Sequence, residues 1–377
     1  IKFVGIDFYG STILIQSLLA FIFGISSFGV GIKMKRFLPS EKNYSSKRIL
    51  FYNQFYFRFS SIVIFCLLWI PLFKIINSLI FKESIIEYSY WVIPIFLVSY
   101  FLYDQGNEYY RYSSRIVNMS LMNLFFPIVS ILFLVTLSLL DLLSINTIIL
   151  SQAISALIIA SPSYLTIFKE LGIVWTRYYK NILSEIRLGF PLTLNFIMDF
   201  ILVGFDRYII AIFMSASAVG SYSVAYKLGS FIILFPKAMG TVLPQLMSKA
   251  IDKDNSDQAI IMLNASITTF LLLAIPFVFG AVILGAPLMN ILANKEVADM
   301  AILSLPLTAL ATLFYGLFLI LSDILFVKLK TKEIFKINFI ASGFNIFSNI
   351  LLFYFFQNIV IAALTTLSSY LIAFVYI

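Results

Sequence analysis

QAIIMLNASITTFLLLAIPFVFGAVILGAPLMNILAN (residues 258–294) contains no Asp, Glu, Lys or Arg over 37 consecutive positions. About 20 apolar residues already cross a bilayer, so this stretch spans the hydrocarbon with residues to spare at each end. Further charge-free runs cover 8–32, 116–140, 142–168 and 337–377. The whole chain of 377 residues is 61% hydrophobic and only 12% charged, about half the charge of a soluble domain. An ordinary soluble protein is excluded. Histidine is absent and Cys66 is the single cysteine, which removes His general acid/base chemistry, CxxC redox motifs and intrachain disulfides. No catalytic residue, metal site or cofactor is expected, and the net charge of +8 does not imply nucleic acid, because of where the charges fall.

Apolar windows between polar breaks predict eleven helices, at 10–32, 57–80, 88–104, 116–140, 147–168, 188–214, 220–248, 259–283, 300–327, 337–355 and 358–377. A membrane β-barrel would show short alternating segments, whereas these runs are continuous. The expected fold is therefore an all-α membrane protein, a polytopic helical bundle. Loops 33–48, 104–115, 169–187, 249–258 and 328–336 together hold eighteen Lys and Arg, and the alternate loops hold only Lys82 and Lys295. Eighteen against two places the first set in the cytoplasm. The external loops are too short for a folded domain, so function resides within the membrane. The polar loop KELGIVWTRYYKNILSEIR (169–187) divides the chain into an N-terminal lobe, 1–180, with five visible spans and a C-terminal lobe, 181–377, with six. The chain begins at Ile1 without a methionine and ends inside an apolar run, and it reads as a fragment with no signal peptide. A lost first helix would complete two pseudo-symmetric six-helix lobes, as in transporters built from repeats.

Polar groups at bilayer depth are costly and usually face a bundle interior or a wet cavity. At 100° per residue, Asn195, Asp199 and Asp206 fall within about 40° of one another. In the next span Ser223, Lys227, Ser230, Lys237, Thr241 and Gln245 fall within about 80°. Asn338, Ser342, Asn345 and Asn349 share an arc of about 60°, and Thr308, Thr312, Tyr315 and Asp323 one of about 80°. Four such stripes suggest a shared wet cavity; the competing reading is hydrogen-bond glue between helices. Asp199 and Lys227 are expected at a common depth, either as a structural ion pair or with Asp199 coupling an ion. Arg207 and Asp206 belong to the same group of ion-coupling or structural charges, Arg207 with snorkelling as its default. In the first lobe Gln54, Arg58 and Ser61 share one face, and the acidic residues, Asp104 and Glu108 among them, read as span edges.

The segment IRLGFPLTLNFIMDFILVGFDRYIIAIFMSASAVGSYSVAYKLGSFIILFPKAMGTVLPQLM (186–247) resembles the polysaccharide exporters, the O-antigen and capsule-unit flippases, within the multidrug/oligosaccharidyl-lipid/polysaccharide exporter superfamily. GFPL (189–192), DRYII (206–210), VGSYSVAYKL (219–228) and LPQLM (243–247) carry the resemblance by their order and spacing. FYG (8–10) followed by a span and KMKRFLP (33–39) looks like the second helix of that family. The resemblance implies two six-helix lobes and a cation meeting a pyrophosphate at the position of Lys227. On that basis the expected function is a flippase of the bacterial inner (cytoplasmic) membrane that moves undecaprenyl-pyrophosphate-linked oligosaccharide for surface polysaccharide assembly, alongside membrane lipids and polysaccharide polymerase machinery. Arg58, Lys227 and Lys237 would receive the pyrophosphate. Asn338, Ser342, Asn345 and Asn349 would hydrogen-bond the sugars. The rivals are a cation-coupled multidrug exporter of the same fold, a membrane glycosyltransferase or polymerase, and a purely structural subunit with a dry interior.

Overall fold

The computed structural model describes residues 5–39, 41–78, 89–173, 182–251, 255–328 and 330–377. Among them the only regular structure is helical: α1 (Ile6–Ser26), α2 (Ile32–Phe37), α3 (Tyr44–Ile76), α4 (Ser89–Tyr112), α5 (Ile116–Leu139), α6 (Ile145–Leu171), α7 (Ile182–Gly204), α8 (Asp206–Phe213), α9 (Ala216–Gly229), α10 (Leu234–Ile251), α11 (Ser256–Leu292), α12 (Lys295–Ala301), α13 (Ser304–Val327), α14 (Thr331–Phe356) and α15 (Ile359–Val375). Nine of the described helices are long and apolar enough to cross a membrane. The two other predicted spans correspond to α4, which carries Asp104 and Glu108, and to α15, with 17 residues. The chain is an all-helical, multi-pass membrane protein.

Two predicted spans are interrupted. The span 188–214 is α7 plus α8, parted after Gly204, where the Asp206 carboxylate accepts the Arg207 N–H at 2.8 Å and so competes with the helix ladder. The span 220–248 is α9 and α10 joined by a 3₁₀ turn at Phe231–Ile233. Gly229 ends α9, and Pro236, in the first turn of α10, lacks the N–H that would continue the preceding ladder. The outer loop expected at 284–299 is mostly helix, since α11 runs to Leu292 and α12 follows from Lys295.

The chain divides into two compact units, Ile15–Ile197 and Met198–Ile377 with the segment up to Leu14. The divisions fall inside α1 and α7 rather than in the polar loop expected as the lobe boundary, whose residues 174–181 lie outside the described residues. In the first unit α4 packs on α3, α5 and α6. Small residues of α6, including Ser155, Ala156, Ala160 and Ser163, are buried against α4, and a methyl group on Gly106 would collide with Ser163. Close backbone approach of this kind maximises van der Waals packing where lipid supplies no hydrophobic drive. In the same unit Gly29 and Gly189 meet backbone to backbone, Gly29 with φ of 65°.

In the second unit α13 is the central helix, packed against α9, α10, α11 and α15. Thr312 of α13 donates to the carbonyl of Gly229 at 2.9 Å, satisfying an acceptor freed by the end of α9. A side chain at Gly229 would press on the Leu305 carbonyl and Thr308, so the small residue both ends α9 and admits α13. Gly316 likewise makes room for the Phe270 ring of α11.

Candidate functional site

The unit built around α13 holds most of the polar residues singled out from the sequence. Asp199, half-buried on α7, accepts from Asn338 Nδ2 at 3.3 Å, and the charge acting on it is that of Lys237. The expected Asp199–Lys227 pairing is thereby corrected. Lys227 instead places its ammonium 5.3 Å from the centre of the Tyr9 ring of α1. The 3₁₀ turn at Phe231–Ile233 separates α9, which carries Lys227, from α10, which carries Lys237. The stripe expected along both helices is divided by the same turn: Ser223 is fully buried, whereas Lys227, Lys237 and Thr241 are exposed. Gln245 lies outside the described side chains. Neither lysine forms a salt bridge among the described residues.

Asp206 opens α8 at 1% exposure. Its Oδ2 accepts from the Tyr222 hydroxyl and from Thr366 Oγ1 of α15 at 3.5 Å. Arg207 does not snorkel outward: its guanidinium lies 4.7 Å above the Tyr226 ring and donates to the Val203 carbonyl at 3.2 Å. Tyr226 and Tyr370 hydroxyls are 3.0 Å apart, and Tyr370 stacks on Tyr315 at 4.3 Å. A buried carboxylate and its neighbouring guanidinium are thus embedded in four tyrosines from α9, α13 and α15. Such a network holds the break between α7 and α8 in one geometry, because Asp206, Tyr222 and Tyr226 each have a partner on a neighbouring helix that they would lose on moving.

Asn338, Ser342, Asn345 and Asn349 are 2%, 1%, 0% and 0% exposed, which corrects the expectation that the whole arc faces water. Asn345 donates to Ser369 at 3.2 Å, and Asn349 accepts from Thr365 at 2.9 Å. The small residues of α15 let α14 approach closely enough for these amides to bond across the pair. Ser342 meets the Met198 sulfur at 3.1 Å, leaving Asn338 and Ser342 beside Asp199 and the other two as interhelical glue. A double-mutant cycle on Asn349→Ala and Thr365→Val, read by thermal unfolding in fixed detergent, is expected to give a coupling of about 0.6 kcal/mol, the average for polar pairs between membrane helices. A coupling near zero would remove the glue role.

In the other unit Arg58 is 4% exposed. Its Nη2 is 2.8 Å from Asp104 and its Nη1 3.0 Å from Glu108, while Gln54 Nε2 also donates to Glu108 at 2.5 Å. The expected role of Arg58 as a free pyrophosphate ligand is corrected, since two carboxylates already occupy its fork. Asp104 and Glu108, read as span edges, lie in the last turns of α4, which continues to Tyr112. The signal was present in the sequence. Gln54 and Arg58 are four apart, as are Asp104 and Glu108, so each pair occupies one helix face, and antiparallel neighbours can match them. Tyr222 and Tyr226 show the same spacing, masked by a chain that contains 21 tyrosines. Among the described residues no cluster of three or more acidic, Cys or His side chains could hold a metal.

Residues 191–351 match the MatE family. A stretch of 92 residues is 34% identical to the probable low-salt glycan biosynthesis flippase Agl15 of Haloferax volcanii, covering 24% of this chain and 19% of the relative. The chain thus spans about a fifth of the length of that curated relative. Among solved structures, the lipid II flippase MurJ in its inward closed conformation matches with a TM-score of 0.75 and 18% identity, over 100% of this chain and 81% of that one. An inward-facing multidrug resistance MATE family transporter of the MOP superfamily matches with a TM-score of 0.80 and 12% identity, over 99% and 89%. Residues 191–351, less than half of the chain, thus resemble the MatE family, and the whole chain shares the polytopic helical fold of these solved structures.

Proposed function

We propose that the protein is a flippase that moves undecaprenyl-pyrophosphate-linked oligosaccharide units across the bacterial inner membrane for O-antigen or capsule assembly. The observation that carries this reading is the pair Lys227 and Lys237, exposed within apolar helices and free of carboxylate partners at salt-bridge distance among the described residues. An exposed ammonium at such depth requires water or an anion, because hydrocarbon offers it nothing. Lys227 lies eleven residues beyond the start of α9, or about 16 Å along the axis, and would meet the pyrophosphate as a point charge. Asn338 and Ser342, next to Asp199 and closed off from water in this conformation, would bond sugar hydroxyls once the helices around them part. The resemblance of a quarter of the chain to a glycan flippase supports the same substrate class. The head group cannot cross hydrocarbon unaided, whereas the polyprenyl tail need not leave it, so alternating exposure of these cations to the two sides suffices without covalent chemistry.

The test is a reconstituted system in which a fluorescent lipid-linked oligosaccharide is flipped in proteoliposomes. Lys227→Gln is expected to slow flipping at least about tenfold, the loss of a charge-assisted bond of about 1.5–3 kcal/mol, while Lys227→Arg retains most of it. Full activity of Lys227→Gln would remove Lys227 from the site. The second reading is a cation-coupled multidrug exporter, favoured by the two carboxylates Asp104 and Glu108 within the first unit. Gradient-driven efflux of a cationic dye from the same proteoliposomes, with no glycan movement, would establish that reading instead.

A further inference from the structure

Where the segments 38–42 and 113–115 meet α3, α4 and α6 at one end of the first unit, they line a cavity of about 350 Å3 that the transport reading does not use. Its charged lining is Lys42, Lys47, Arg115 and Glu170, joined by the tyrosines Tyr44 and Tyr109. Glu170 is already taken, because it forms a salt bridge with Arg115 and accepts from the Tyr109 hydroxyl at 2.6 Å. Lys42 and Lys47 form no salt bridge among the described residues, so the cavity carries an uncompensated positive charge.

The depth of this cavity follows from the helices that adjoin it. α5 has no charged residue over its 24 residues, about 36 Å at 1.5 Å per residue, against a hydrocarbon core about 30 Å thick. Arg115, immediately before α5, therefore lies at the level of the lipid head groups. α6 gives the same answer from the opposite direction, being uncharged from Ile145 to Phe168 and reaching Lys169 and Glu170 only in its last turn. The cavity opens at the end of the bundle that holds the excess of Lys and Arg, where basic pockets between helices hold phosphate-bearing head groups. Leu38, Pro39 and Leu171 supply an apolar flank, which suits the glycerol and first methylenes of a lipid better than a free ion.

We infer that this cavity is a binding site for the head group of an anionic glycerophospholipid, with Lys42 and Lys47 on the phosphate and Arg115 held at its edge by Glu170. It is a bilayer-lipid site, independent of the transported substrate, and lipid binding is measured without transport. The full chain, purified in detergent, is titrated with phosphatidylglycerol and with phosphatidylcholine and the bound lipids are counted by native mass spectrometry. The unaltered protein is expected to prefer phosphatidylglycerol by about tenfold, and the Lys42→Gln/Lys47→Gln variant to lose most of that preference, since each surface lysine contributes about fivefold. Thermal unfolding should be unchanged in this variant, because neither lysine is paired. Lys330→Gln/Lys332→Gln removes the same charge from exposed positions of the other unit and should keep the preference. Equal losses in the two variants would mean a diffuse surface potential and overturn the site. Displacement of phosphatidylglycerol by millimolar inorganic phosphate would overturn the assignment to a lipid.

Discussion

Arg58→Gln is expected to destabilise the protein by about 3 kcal/mol, at the lower end of the cost of removing one partner from a buried ion pair. The side chain is buried, and its two amino groups hold Asp104 and Glu108. Glutamine leaves both carboxylates without their cation. Their side chains are 29% and 27% exposed, so water recovers part of the loss and keeps the figure from reaching the upper end. The check is thermal unfolding at fixed detergent and lipid composition. Adding Asp104→Asn and Glu108→Gln to Arg58→Gln should restore most of the stability, as expected when the damage is uncompensated charge rather than a packing defect. An unchanged transition for Arg58→Gln alone would show that the cluster contributes nothing.

Gly29→Ala is expected to cost about as much or more. A methyl group there collides with the backbone of Gly189, and the position has a φ of 65°, a conformation that costs an L-residue about 1–2 kcal/mol. Overpacking against backbone, which cannot rotate aside, adds about 1–3 kcal/mol. Gly189→Ala meets the same contact from the other side without the positive φ, so it should be the milder change. Gly5→Ala provides the control, having a φ of 80° but no atom within 4 Å, and should show the conformational cost alone. Detergent-solubilised yield and melting temperature should then rank Gly29 below Gly189 and both below Gly5.

These outcomes show what the sequence could and could not disclose. Span positions were legible because a run without charge is a local property, and among the described residues each of the eleven predicted segments corresponds to helix. The break at Gly204 and the turn at Phe231–Ile233 were not, because the local cues at Asp206, Gly229 and Pro236 are fixed by partners on other helices: Thr366 and Tyr222 at the first, Thr312 at the second. The same limit applies to the polar arcs. A helical wheel gives the direction of Asn349 on its own helix but not that Thr365 waits there. It gives Arg58 a face but not that Asp104 and Glu108 share it. Lys227 and Lys237 fell on one arc only while α9 and α10 were treated as a single straight helix.

The two compact units exchange helices in a way that bears on how the protein is made. α1 serves one unit up to Leu14 and the other from Ile15, and α7 changes allegiance between Ile197 and Met198. During synthesis the first unit is incomplete until Ile197 has entered the membrane, well past the polar loop where a translating ribosome would otherwise have delivered a finished lobe. The earliest turns of α1 wait longer still: the Leu14 carbonyl accepts from Tyr208, and Gly10 packs against Ala216. Contacts separated by nearly 200 residues form late and leave unsatisfied surface exposed meanwhile. Cutting the gene at the polar loop would consequently leave each unit without the helix segment that completes it, 182–197 for the first and the start of α1 for the second, and co-expression rather than separate refolding is the route by which they would assemble.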